Sequence, residues 1–458
     1  MPHDTILSLL TQPNLPLVNR ANDGSNTTHS LWPDINSCTL WEDFNATKLY
    51  AMFEDIVECK WEAKGSLGAT QTGWDGEIFD EDELEHSILS PHIFPPVNKA
   101  IEHALKYTKL DKKYKLDLNL GRAGRTYYEP GGDRRFKPDW ALCCTTRRSP
   151  PEHGDIRYQN LLPGDSKLSN KWQSSWHSHP DPSTQKAWSQ PVRQILHYCK
   201  LSHCRYGFLI TDSELVVLRV TPQPTGDGLA PTKALRQTTR PGHSYHFSES
   251  TDASNLSDVM RDMSMESPSS YRPTSSATDG FAVEYQAVPM KNHGHGKRQL
   301  TVQLALFYLA WIAGAGNNTL FNRYPRFDSS WPRLDGLFLH STMGLLSTKA
   351  KNLDYPYNQQ ERGPKWTNVG ADENGEPIHA LTLESVLTLN IAQREGRYFY
   401  YYQDEEEKEV LITKEVPIYD MDGNRYGYFD GLIWNNGSLP GPSKKTKKQG
   451  KSSSRRHV

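Results

Sequence analysis

RFKPDWALCC (Arg135–Cys144) and NLLPGDSKLSNKW (Asn160–Trp172) are two short apolar runs separated by a charged, Pro-containing loop. Each has the length and apolar content of a buried strand. Asp139 heads the first run. Asp165, Ser166 and Lys167 end the second, with Asp165 twenty-six positions after Asp139. On a strand, side chains two apart share a face, so Lys167 points the same way as Asp165. Two carboxylates on neighbouring strands can share one divalent cation, since Mg²⁺ takes hard oxygen ligands and keeps open positions. The lysine can then orient a water and offset phosphate charge. The bland alternative is a strand-end ion pair of little energetic weight.

The flanking sequence decides how much the tripeptide means. Downstream, residues 185–204 read as a helix with Pro191 in its first half, followed by RYGFLITDSELVVLRV, a hairpin around Thr211, Asp212 and Ser213. Upstream, Leu89, Ile93, Val97, Ile101 and Leu105 form an i+4 apolar stripe. Pro91, Pro95 and Pro96 must break that stripe into two helical pieces. Glu85 falls on the same line, one step N-terminal, where burial of a lone carboxylate is costly. Either the helix has barely begun there and the side chain is wet, or the acid is functional; Glu83 is its neighbouring alternative. KLDLNL and RTYYEP supply strand character before Asp139. The order is helix, two or three strands, helix, two strands, which gives a mixed sheet rather than a repeating βαβ wind.

The chain of 458 residues has room for two or three units. Only 36% of it is hydrophobic, mean hydropathy is −0.71, and 30 Pro and 32 Gly suggest that part of it does not pack. We expect a disordered N-terminal arm over 1–39, a core over 40–220, a disordered insert over 221–279, a C-terminal α+β extension over 280–442 that packs on the core, and a basic disordered tail over 443–458. The net charge of −2 hides an asymmetry. Seven Lys and Arg lie in the last fifteen residues, which leaves 45 basic against 54 acidic residues elsewhere, a net of −9. A nucleic-acid surface on such a body must therefore be local. The tail KKTKKQGKSSSRR fits nuclear targeting, nonspecific nucleic-acid binding or simple solubility.

Six cysteines make no disulfide framework. The N-terminus lacks the pattern of a signal peptide. Leu300–Ala315 is too short for a bilayer and reads as a buried core helix. A soluble protein of a reducing compartment, with no membrane partner, is the expectation.

Asp139, Asp165-Ser166-Lys167 and the later Gln194 and Tyr198, four apart on their helix, resemble the PD-(D/E)xK nuclease superfamily, the restriction-endonuclease-like fold. The segments KPDWAL, LLPGDSKLSNKW, RYGFLITDSELVVLRV and TVQLALFYLAW also resemble a group of filamentous-fungal proteins. The likeness covers about residues 80–220 and the helix near 300–313. It implies Mg²⁺ or Mn²⁺ as cofactor and nucleic acid as partner. Asp139 and Asp165 would be metal ligands, the Ser166 carbonyl a further ligand and Lys167 the catalytic lysine. Gln194 and Tyr198 would contact the nucleic-acid backbone or support the site, and Glu85 or Glu83 would complete the shell. Asp-x-Lys stands where that superfamily more often has Glu-x-Lys. Gln194 and Tyr198 can equally be a hydrogen-bonded pair in helix packing.

The expected function is Mg²⁺-dependent phosphodiester hydrolysis. The alternative is an inactive scaffold of the same fold that binds nucleic acid or protein. Asp165→Ala and Lys167→Ala are expected to abolish cleavage with little change in thermal stability. His197, Cys199, His203 and Cys204 lack the second ligand pair a zinc site needs. Tyr398–Tyr402 suits either a base-stacking platform or a strand.

Overall fold

The structure is a computed structural model. It describes residues within 5–223 and 280–435, apart from 61–75, 127–136, 146–156, 350–365 and several shorter stretches.

The sheet at its centre has seven strands. They are β1 (Asp34–Leu40), β2 (Leu118–Arg122), β3 (Trp140–Cys144), β4 (Pro163–Ser166), β5 (Tyr206–Ile210), β6 (Glu214–Gln223) and β7 (Gly280–Pro289), in the spatial order β1-β7-β6-β5-β4-β3-β2. β1 runs parallel to β7 and β4 parallel to β5; every other neighbouring pair is antiparallel. The fold is thus α/β with a large mixed sheet flanked by helices, as the sequence implies. Every residue of β3, β4 and β5 is buried, which requires cover on both faces.

Alternation along β5 and β6 shows the two faces. Phe208, Ile210, Leu215 and Val217 join a large core with helices α1 (Ile6–Leu10), α2 (Ala46–Val57), α3 (Phe94–Thr108) and α5 (Val302–Ala315). Leu209, Val216, Leu218 and Val220 instead meet α4 (Pro182–Ser202) in a second core. Side chains one apart on a strand face opposite ways, so one apolar run feeds both layers.

Helix α5 is the hub of the larger core. Its sequence VQLALFYLAWIAGA is apolar on every side, and all fourteen residues are buried. Thr301 caps its first turn by accepting the Leu304 N–H, and the Trp311 indole donates to the Met343 carbonyl at 3.0 Å. Among the described residues no helix is long and apolar enough to cross a membrane. Gly314 sits where a Cβ would lie 2.3 Å from Leu118 Cδ1 of β2. A helical Gly usually gains stability on change to Ala. Here Gly314→Ala is expected to lose about 1–3 kcal/mol through overpacking, measurable by chemical denaturation.

Upstream of α3 the chain forms a wide-turned helix, Leu84–Ile93, with Pro91 inside it. The change of helix type beside Pro95 and Pro96 is the break the prolines require. The expected stripe Leu89, Ile93, Val97, Ile101 and Leu105 is buried throughout.

Two expected boundaries need correction. The segment 1–39 is not a loose arm over its described residues. Thr5 and Ser8 cap α1 reciprocally, Ile6, Leu7, Leu9 and Leu10 enter the main core, and β1 is an edge strand of the sheet. Five residues are too few to show a period, which is why this helix escapes the sequence. The core also does not end at 220. β6 runs to Gln223, and β7 and α5 complete the sheet and its core from beyond the insert. Within 280–442 the described residues supply β7, the helix α5 and, past it, strands in three-, five- and three-stranded sheets. They pack around Trp331, Leu339, Leu381, Tyr400, Ile418 and Phe429. Tyr400, from the aromatic run, is buried there and donates to the Pro332 carbonyl at 3.1 Å, which is a packing role. The insert from 224 to 279 and the tail over 443–458 lie outside the described residues.

Candidate metal centre

The register of β3 and β4 builds the centre. Trp140 pairs with Gly164 and Ala141 with Pro163, and the same antiparallel register sets Asp139 opposite Asp165. Gly164 is required by its neighbour, because a Cβ there would lie 2.1 Å from the Phe208 ring on β5. The Ser166 N–H donates to Asp139 Oδ2 at 2.9 Å. The Lys167 ammonium forms an ion pair with Asp165 Oδ2 and donates to the Ser166 carbonyl at 2.7 Å. The Trp140 indole donates to the Ser166 hydroxyl at 2.6 Å, which anchors the strand end between the acid and the lysine.

Burial makes this a charged centre rather than a surface ion pair. Asp165 is 1% exposed and Lys167 8%. Burial and the neighbouring Asp139 carboxylate push Asp165 well above the usual carboxylate range, against the pull of Lys167. Asp139 is raised as well, by burial and by the charge of Glu85, although Lys167 and the Ser166 N–H draw it down. The two carboxylates lie within hydrogen-bonding reach of each other. Burial alone would lower Lys167, but Asp165, Glu81 and Asp139 together hold it above its ordinary value.

The helical acids divide. Glu85 is buried, and its Oε2 meets the Arg122 guanidinium at the end of β2. The wet alternative for Glu85 is therefore set aside: it reaches the centre through Arg122 and Asp139. Glu83 is not part of it. Its carboxylate accepts the Phe79 N–H at 2.9 Å while its own N–H donates to Asp80, so it closes the start of the helix. The residue that sequence reasoning missed is Glu81. It lies 3.2 Å from the Lys171 ammonium and adds its charge to that felt by Lys167. The signal was available, since Glu81 and Glu85 are four apart and share a helical face.

Gln194 and Tyr198 are joined to the centre through the backbone. Gln194 Nε2 donates to the Tyr198 hydroxyl at 2.8 Å, and that hydroxyl donates to the Lys137 carbonyl at 2.9 Å, two residues before Asp139. Tyr198 is buried, so its role is to hold the approach to Asp139 rather than to meet a ligand. Tyr198→Phe is expected to cost about 1 kcal/mol of stability, the net value of one hydrogen bond, measured by urea denaturation.

Cys199 and Cys204 both turn their thiols toward the Tyr206 carbonyl inside the second core, and Cys143 and Cys144 are buried and unbridged. Asp82, Glu85 and His86 bring ligand atoms within 4.8 Å of one another. Asp82 and His86 are exposed and pair with each other at 3.1 Å, while Glu85 is turned to Arg122.

No family model, curated protein or solved structure matches this chain. Its chemistry must therefore be read from the centre itself. The donor set fits Mg²⁺ or Mn²⁺: the Asp139 and Asp165 carboxylates and the Ser166 carbonyl are hard oxygens on two adjoining strands. Asp165 Oδ2 is buried and accepts no hydrogen bond of regular geometry among the described residues, and the Lys167 ammonium is the charge that faces it. A divalent cation would relieve the repulsion between the two acids.

Proposed function

We propose that the chain is a Mg²⁺- or Mn²⁺-dependent phosphodiester hydrolase acting on nucleic acid, built on a restriction-endonuclease-like core. The observation that carries this is the opposition of Asp139 and Asp165 on adjoining strands with Lys167 beside Asp165. The helix α3, the meander β2-β3-β4, the helix α4 and the strand β5 parallel to β4 frame that pair, which supports the same fold. A divalent cation held by Asp139, Asp165 and the Ser166 carbonyl supplies Lewis acidity and charge neutralisation at a phosphate. Lys167 offsets phosphate charge and orients the attacking water. Trp140 and Tyr198 keep the acid-bearing ends of β3 and β4 in register. A nuclear location, suggested by the basic tail, belongs to the same proposal.

A second reading has its own observation. The Lys167 ammonium is seated on Asp165 Oδ2 and the Ser166 carbonyl, two of the atoms a cation would use. A centre whose lysine already occupies those atoms suits an inactive scaffold that binds nucleic acid or protein. Cleavage of plasmid, single-stranded DNA and RNA in Mn²⁺ and in EDTA, with Asp165→Asn as control, separates the two. Metal-dependent cleavage lost in the variant supports the hydrolase, and its absence from the wild-type protein across all three substrates favours the scaffold.

A further inference from the structure

Arg122 is a cation of the centre that reaches solvent. Its side chain is 46% exposed, whereas that of its partner Glu85 is 9% exposed. The guanidinium lies 5.0 Å above the centre of the Trp140 ring. That ring is itself fixed, edge-on to Phe94 at 4.4 Å and tied by its N–H to the Ser166 hydroxyl. Arg122 also pairs with Trp140 across β2 and β3, one position from Asp139. A planar, five-donor fork on a rigid aromatic platform at the rim of a buried acid pair is suited to a phosphate.

The charge sum points the same way. With both aspartates ionised, as metal binding requires, Asp139, Asp165 and Glu85 carry three negative charges against Lys167 and Arg122, a net of −1. A divalent cation brings the sum to +1, which matches one phosphodiester. If Arg122 then turned to that phosphate, Glu85 would be released beside Asp139.

We infer that Arg122 is the phosphate-contacting residue of this centre and a latch on Glu85, holding the acid until substrate arrives and then freeing it toward Asp139. This rests on the hydrolase reading. The competing account is a permanent structural ion pair.

The test uses the full chain with Arg122→Met. Binding of a fluorescein-labelled single-stranded oligonucleotide is followed by anisotropy in Ca²⁺, which fills an oxygen site, and Mn²⁺ affinity is measured separately by calorimetry without nucleic acid. The variant is expected to bind the oligonucleotide about tenfold more weakly or worse. The slope of log affinity against log salt should fall by about one. Its Mn²⁺ affinity should rise several-fold, because Glu85 is no longer held, and the rise should vanish in Arg122→Met/Glu85→Gln. Oligonucleotide affinity and salt slope equal to wild type, or an unchanged Mn²⁺ affinity, overturn the inference while leaving the hydrolase reading intact. A wild-type protein that binds neither Mn²⁺ nor oligonucleotide overturns both. Should the methionine variant fail to fold, Arg122→Lys keeps the charge and the Glu85 pair but loses the fork. It should keep the salt slope and lose part of the affinity, and undiminished affinity overturns the inference.

Discussion

Lys167→Met is expected to destabilise the metal-free protein by about 3–5 kcal/mol, read by chemical denaturation at neutral pH. Lys167 and Asp165 are both buried, and Asp139 lies against Asp165. Removing the ammonium leaves two carboxylates in a low-dielectric site without their counter-charge. A neutral substitution on both sides, Lys167→Met with Asp165→Asn, should recover most of the loss, because no uncompensated pair then remains. The pH dependence has a definite sign. Asp165 and Asp139 are raised in the folded protein, so the folded state holds protons that the unfolded chain has released. The contribution of these two acids to stability therefore rises as pH falls from neutrality, and it is complete near the unfolded carboxylate value of about 4. The slope should be steeper in Lys167→Met, where the lysine no longer draws either acid down. A stability loss under about 1 kcal/mol, the level of an exposed pair, would show that the centre is wet.

Asp165→Asn should do the reverse, leaving the fold nearly intact and removing the chemistry. Asp139 still faces Lys167, and the amide relieves the repulsion between the acids. Mn²⁺ at a hundred times its dissociation constant should stabilise the wild-type protein by about 2.7 kcal/mol and the variant by far less. Metal-dependent cleavage should fall at least about a hundredfold in Asp165→Asn and in Asp139→Asn. The sequence alone suggests that Lys167→Ala and Asp165→Ala would both spare stability. Burial separates them, because a lone lysine in this site costs less with Asp139 still present than two acids cost without the lysine. Retained cleavage and an undiminished Mn²⁺ effect in Asp165→Asn would remove this acid from the function.

Much of this was legible in one dimension. The apolar runs at 140–144 and 206–220, the i+4 stripe from Leu89 to Leu105 and the all-apolar helix at 302–315 are periodicity signals, and all of them hold. The Asp-x-Lys spacing puts Lys167 on the Asp165 side because strand side chains alternate, and the two do pair. What was not legible depends on distant partners. α1 is too short to show a period and forms because the core receives Ile6 and Leu10. β7 belongs beside β6 because hydrogen bonding across the insert completes the sheet, and no local property of Phe281–Met290 tells which strand it joins.

The centre divides in the same way. The sequence by itself determined the residue types, their spacing and the faces they occupy, since these follow from backbone periodicity. Only the tertiary structure decided that Glu83 caps a helix, that Glu85 is taken up by Arg122, that Glu81 acts on Lys167, and that Tyr198 holds Lys137 rather than a ligand. Each of those outcomes is a choice of partner among chemically equal groups. Such a choice is made by packing at long range, where burial turns a surface ion pair into a site whose charges must be balanced.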